Sequence, residues 1–195
     1  TFFAHALFVA QGWREFLDTP ESEPARASVL NWLSLLKGGD RYEAVVLFDA
    51  KPEVRLALTA NAAATIPTDY LRTLAQQVAQ SREVVMTDLH QDFDGQEVYL
   101  DLAFPIFEKA DSARGPPIGM VLLRLNDRQF LFPLVLSWPT PSATAETLLV
   151  RQEGDQVLFL NDLRYRPGAA LHLRLPLNLP ALPAARALRG EELIT

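Results

Sequence analysis

Between Val98 and Phe107 the sequence alternates as only a strand with two different faces can. Val98, Leu100, Leu102, Phe104 and Ile106 fall on one side; Tyr99, Asp101, Ala103, Pro105 and Phe107 fall on the other. If the first side packs against helices, the other is presented on the opposite side of the sheet. Asp101 stands there between apolar neighbours, where an unpaired carboxylate is expensive to bury. It needs a cation, an Arg or His partner, or water. Tyr99 and Asp101 are therefore the leading ligand-contact candidates, and the competing reading is an exposed sheet face.

The residues before this strand supply the rest of a domain. Thr1–Asp18 places apolar residues three and four apart, among them Phe2, Phe3, Phe8, Trp13 and Phe16, which predicts a helix with a wide apolar face. Thr19-Pro20-Glu21-Ser22 ends it. Ser22 is placed to cap a second helix with Pro24 in its first turn, Val29, Leu30, Leu33 and Leu36 as its stripe, and Gly38-Gly39 as its terminator. From Tyr42 the period changes. Ala44–Phe48 predicts a strand covered on both faces, Asp49-Ala50-Lys51-Pro52 a turn, and Val54–Leu58 a returning strand. Thr68 is expected to cap a helix with Leu71, Leu74, Ala75 and Val78 in its core. Further strands are predicted at Val84–Leu89, Val98–Phe107 and Ile118–Leu125, with turn signals at Asp94-Gly95 and Gly115-Pro116-Pro117. The expected fold class is α+β, an antiparallel sheet of about five strands flanked by helices.

Beyond Asp127 the composition shifts, and prolines at 133, 139 and 141 interrupt an apolar stretch. At an offset of 103 residues, Glu43–Leu47 lies over Glu146-Thr147-Leu148-Leu149-Val150, and Val54–Ala57 lies over Val157–Leu160. Each hairpin precedes an apolar helical stretch, Tyr70–Gln80 in the first copy and Leu179–Leu188 in the second. A repeat and a chance likeness of two hairpins both fit. The repeat reading divides the chain into a complete unit at 1–127 (helices 1–38, sheet unit 42–127), a connector at 128–139 and an incomplete second unit at 140–195, without counterparts of the last three strands.

Composition excludes several functions. The net charge of −6 and scattered arginines offer no basic patch for phosphates. With no cysteine, thiol nucleophiles, thiolate zinc sites and iron–sulfur clusters are ruled out. No apolar run reaches the roughly 18–20 residues that span a bilayer. The first helix leans acidic, which disfavours anionic lipid, and its aromatics read better as helix-packing residues. The sequence has no initiator Met and no basic leader, and reads as a piece of something longer. Nucleophile-elbow, Walker, dinucleotide and zincin motifs are absent, so an enzyme is not expected, and neither is a cofactor or metal. A carboxylate-based hydrolase is the remote alternative.

Three histidines remain: His5, His90 and His172. His172 is expected in an alternating strand with Leu171, Leu173 and Leu175 opposite. Asp88 and His90, two apart in a predicted strand, would share a face. With Gln91, Asp92 and Asp94 they make a polar strand end able to hydrogen-bond a small molecule or hold a cation, or else simply a solvated end.

The order of two helices, a hairpin, a helix and a three-strand meander resembles a PAS-like Cache sensor unit, and its repetition resembles the tandem (double) Cache form. The resemblance is carried by Tyr42–Asp49, Thr87-Asp88-Leu89-His90, Leu102–Ile106, Gly119–Arg124 and the connector Ser137-Trp138-Pro139-Thr140-Pro141-Ser142 running on to Arg151. The Tyr/Arg/Trp/Asp pocket signature of the amino-acid-binding branch is not recognisable.

The resemblance implies the extracytoplasmic (periplasmic) sensor region of a bacterial inner-membrane receptor, a two-component histidine kinase or a diguanylate cyclase. A small-molecule ligand or other periplasmic cue would bind the first, membrane-distal unit, on the sheet side holding Tyr99, Asp101, Asp88 and His90. A homodimer through the helices is a further implication. No nucleic-acid or membrane contact by this segment is implied, the parent protein being membrane-anchored. The alternative from another class is a non-ligand-binding interaction or dimerisation module, with the pocket filled by its own side chains.

Overall fold

The computed structural model describes residues 11–37, 42–59, 66–91, 97–108, 115–126, 132–133 and 146–191. The chain divides into two compact units, Thr1–Asp88 with Tyr99–Asn126, and Leu89–Val98 with Asp127–Thr195. His5, the Gly38-Gly39 terminator, Asp92, Asp94 and nearly all of the connector lie outside the described residues.

In the first unit, residues 11–18 are helical (α1), and the chain turns through Thr19, whose hydroxyl donates to the Glu15 carbonyl at 2.7 Å. Helix α2, Glu23–Lys37, begins as expected: the Ser22 hydroxyl oxygen accepts the Ala25 N–H at 3.4 Å. Strand β1, Ala44–Asp49, is buried along its whole length, as its continuous apolar run predicts. It pairs antiparallel with β2, Val54–Thr59, and with β6, Gly119–Asn126. Helix α3, Thr68–Ser81, then crosses from the β2 edge to the opposite edge. Its cap position is Pro67 and Thr68 is its first helical residue, so the helix starts one position earlier than the sequence suggests. Proline before the first turn fixes an extended backbone (φ −59°, ψ 138°), and that entry needs no side-chain acceptor. The far end closes on Arg82 in the left-handed conformation, its N–H on the Val78 carbonyl at 2.8 Å.

The predicted strand 84–89 is corrected to two short pieces, β3 at Val85–Met86 and β4 at His90–Gln91, both pairing with β5, Val98–Ile106. The physical cause is Thr87. Its N–H donates to the Asp101 carbonyl at 2.9 Å, as in a regular ladder. The reciprocal Asp101 N–H, however, goes to the Thr87 hydroxyl oxygen at 2.9 Å instead of to its carbonyl. The ladder stops there. The strand order is β2-β1-β6-β5-β3, with β1, β6 and β5 central.

Helices cover both faces. On one, Trp13, Phe16, Val29 and Leu33 pack on Val45, Leu47, Leu56, Ile106, Val121 and Leu123, with Leu102 and Phe104 at the margin. On the other, Leu71, Leu74 and Val78 of α3 pack on Ala44, Val46, Phe48, Ala103, Met120 and Leu122. The alternation read from β5 thus assigns its two faces correctly. Gly119 is required where β6 begins: a Cβ there would meet the Phe48 carbonyl oxygen and the Trp13 indole nitrogen, each at 2.5 Å.

The second unit is built on β7, Val150–Glu153, β8, Gln156–Phe159, and β9, Arg174–Pro176, in that order. Glu153 pairs with Gln156 across a two-residue turn whose Gly154 takes φ +60°. β7 and β8 have four residues each against six in each strand of the first hairpin. Asn161, 1% exposed, explains the shortening, because its side chain accepts the Leu149 N–H at 2.6 Å and donates to the Thr147 carbonyl at 3.2 Å. Helix α4, Pro183–Leu188, packs Ala184 and Ala185 on Val157, Phe159 and Leu173. The expected strand through His172 is corrected: the chain turns there, with Leu171 at φ 58°, and β9 starts only at Arg174. Leu171 and Leu173 are buried nonetheless, so burial alternates where the ladder does not run.

Candidate functional site

The α3 side of the first sheet carries a buried polar cluster. Asp101 on β5 and Arg124 on β6 are direct cross-strand partners. Arg124 donates from Nε to Asp101 Oδ1 at 2.9 Å and from Nη2 to Oδ2 at 2.7 Å, a two-pronged pair. Their side chains are 2% and 0% exposed. Tyr70, from the first turns of α3, donates its hydroxyl to Asp101 Oδ2 at 2.6 Å. Tyr99, two residues before Asp101 on the same face, lies beneath the guanidinium, 4.9 Å from ring centroid to Cζ. Thr87 closes the group from the end of β3 through the main chain of Asp101.

The electrostatics follow from this packing. Burial alone would push the Arg124 guanidinium down, but the hydrogen bonds and charge of Asp101 reverse that and hold it above its ordinary value. Burial pushes the Tyr70 phenol up, and the Asp101 carboxylate pushes it further, against a weaker pull from Arg124 and Thr87. Tyr70 is thereby kept as a protonated donor.

Of the four residues singled out in the sequence, Tyr99 and Asp101 belong to one cluster. Asp88 does not join them on a strand face: it lies exposed in the stretch between β3 and β4, so the two-apart spacing no longer pairs it with His90. His90 opens β4 and is half-buried. The neighbouring Gln91 amide reaches the His172 ring at 3.1 Å. Sequence reasoning missed Tyr70 and Arg124 as partners, although Arg124 is the one charge in the otherwise apolar run of β6. Among the described residues no group of three or more His, Cys, Asp or Glu could hold a metal ion, and no helix is long and apolar enough to cross a membrane.

No protein-family model and no curated protein matches this sequence. Solved structures do. One is the extracellular domain of a histidine kinase, vpHK1S-Z8, with a TM-score of 0.50 and 14% identity over 75% of this chain and 54% of that one. Another is the ligand-binding domain of the Pseudomonas aeruginosa PAO1 amino acid chemoreceptor PctC, solved with GABA, with a TM-score of 0.52 and 13% identity over 86% and 73%. The chain spans about half the length of the kinase domain. Its fold is the α+β, Cache/PAS-like fold of these extracellular sensor domains.

Proposed function

We propose that this chain is the extracytoplasmic sensory region of a bacterial transmembrane receptor, a two-component histidine kinase in the first instance. In this reading a small ligand binds the first unit on the α3 side of its sheet, against Tyr99 and Asp101. Residues 1–127 would be the membrane-distal unit, and 140–195 part of a second. Binding would bias two arrangements of the unit, provided that the ligand distinguishes between them.

One observation carries the reading: in a fold similar to that of a ligand-binding sensor domain, the sheet order β2-β1-β6-β5-β3 sets a charged and aromatic cluster beneath α3. The test is a thermal-shift screen of small organic acids, amines, sugars and divalent cations. A compound that raises the melting midpoint of the wild type, but not of Tyr99→Ala or Asp101→Ala, supports it. Stabilisation that survives both substitutions removes the site assignment.

The closure of the cluster favours a second reading. Both Asp101 oxygens are engaged and the carboxylate has no exposure. A unit filled in this way suits a non-ligand-binding interaction or dimerisation module of a receptor or cyclase, and predicts a screen without hits.

A further inference from the structure

The surroundings of Asp101 have the composition of a site for a free organic cation. Such sites combine a carboxylate that takes two parallel N–H bonds, an aromatic face under the charge, and exclusion of water. Here the carboxylate is Asp101, held by the Tyr70 hydroxyl, and the aromatic face is Tyr99. The cation already in place is the guanidinium of Arg124. We infer that Asp101, Tyr70 and Tyr99 form a guanidinium-recognition site that the chain fills with its own Arg124.

Three consequences follow from the geometry. Arg124 and Asp101 are fixed opposite each other by the β5–β6 register, so the tethered cation is always at hand and outcompetes free ones at ordinary concentrations. An incoming ammonium or guanidinium would also strand the Arg124 charge in a buried position without its counterion. The intact protein therefore does not take up free cations at Asp101, whereas removal of the arginine head opens a place of matching shape. The inference rests on the cluster alone: it excludes free cations as ligands at Asp101 and leaves neutral or acidic ligands on that side of the sheet untouched.

Ethylguanidinium supplies the atoms lost in Arg124→Ala, and its effect on thermal unfolding at constant ionic strength is the test. The wild type should show no shift. Arg124→Ala should melt lower and be raised saturably by about 2–4 °C, the size expected for a weakly bound stabilising ligand. The double variant Asp101→Asn/Arg124→Ala should not respond. A wild type stabilised as much as Arg124→Ala, an unresponsive Arg124→Ala, or an equal response in the double variant would each overturn the assignment. If Arg124→Ala does not fold alone, refolding from urea with and without ethylguanidinium gives the same answer: a higher yield that depends on Asp101 supports it, and an unchanged yield refutes it.

Discussion

Asp101 and Arg124 occupy the same register position on adjacent central strands, so their ion pair is also a rung of the sheet. The salt bridge is thus set by strand pairing rather than by loop conformation.

Breaking a buried pair from one side leaves an uncompensated charge. Arg124→Met should cost about 3–5 kcal/mol in urea unfolding. Asp101→Leu/Arg124→Met should cost far less than the sum of the two single substitutions. Additive costs would mean that the two groups are not coupled.

Tyr70→Phe removes one hydroxyl and should cost about 1–3 kcal/mol, since a buried carboxylate oxygen loses a donor. The phenol is raised in the folded state above its ordinary value of 10.0, so an unfolded chain gives up this proton first. Stability from Tyr70 is accordingly present below pH 10 and declines as pH rises beyond it. Tyrosinate absorbance should show a step that appears only on unfolding, and Tyr70→Phe should lose it.

Asp49 governs the first hairpin. Its Oδ1 accepts the N–H groups of Lys51 and Glu53 at 2.8 and 3.0 Å, and Oδ2 accepts Arg55 Nε at 2.9 Å. Burial would raise its carboxyl, but these donors outweigh it and hold the group below 3.8. The stabilisation is present above that value and is lost as pH falls through the lower, folded one. Asp49→Ala should be less stable than wild type by about 2 kcal/mol at neutral pH. The gap should close in acid, which a series of melts from pH 7 downward would reveal.

Gly119→Ala should be among the most damaging small substitutions in the first unit, costing about 3 kcal/mol or more. The added methyl meets both a main-chain oxygen and a packed indole. Combining it with Trp13→Phe should not restore the melting midpoint, because the Phe48 carbonyl cannot yield as a side chain could.

Asn161 plays the corresponding part in the second unit. Asn161→Ala removes the side-chain acceptor of the Leu149 N–H and the amide donor to the Thr147 and Asp162 carbonyls. A loss of about 2–3 kcal/mol is expected, with faster amide exchange at Leu149 as the local signature.

The elements readable in the sequence are those whose pattern needs no partner to decide it. Ala44–Phe48, short, continuous and β-branched, suits a doubly covered strand, and Ser22 ahead of an apolar stripe suits a helix start. The cluster was half readable. Asp101 in an apolar strand called for a cation, an Arg or His partner, or water, and Arg124 was the lone charge in another such strand, but nothing local paired their registers. Tyr70 was silent, since an aromatic near the start of an amphipathic helix resembles any packing residue. The break at Thr87 was also hidden, because it depends on a hydroxyl displacing a carbonyl from one rung. The strand at His172 failed for a similar reason: alternating burial persists through a turn that carries no ladder.

The Thr87 exchange also bears on solubility. A regular edge strand from 84 to 89 would offer a row of open main-chain groups to any other extended chain. By setting its hydroxyl where its carbonyl would pair, Thr87 leaves β3 with two residues at that margin, too short a template to seed intermolecular strand addition.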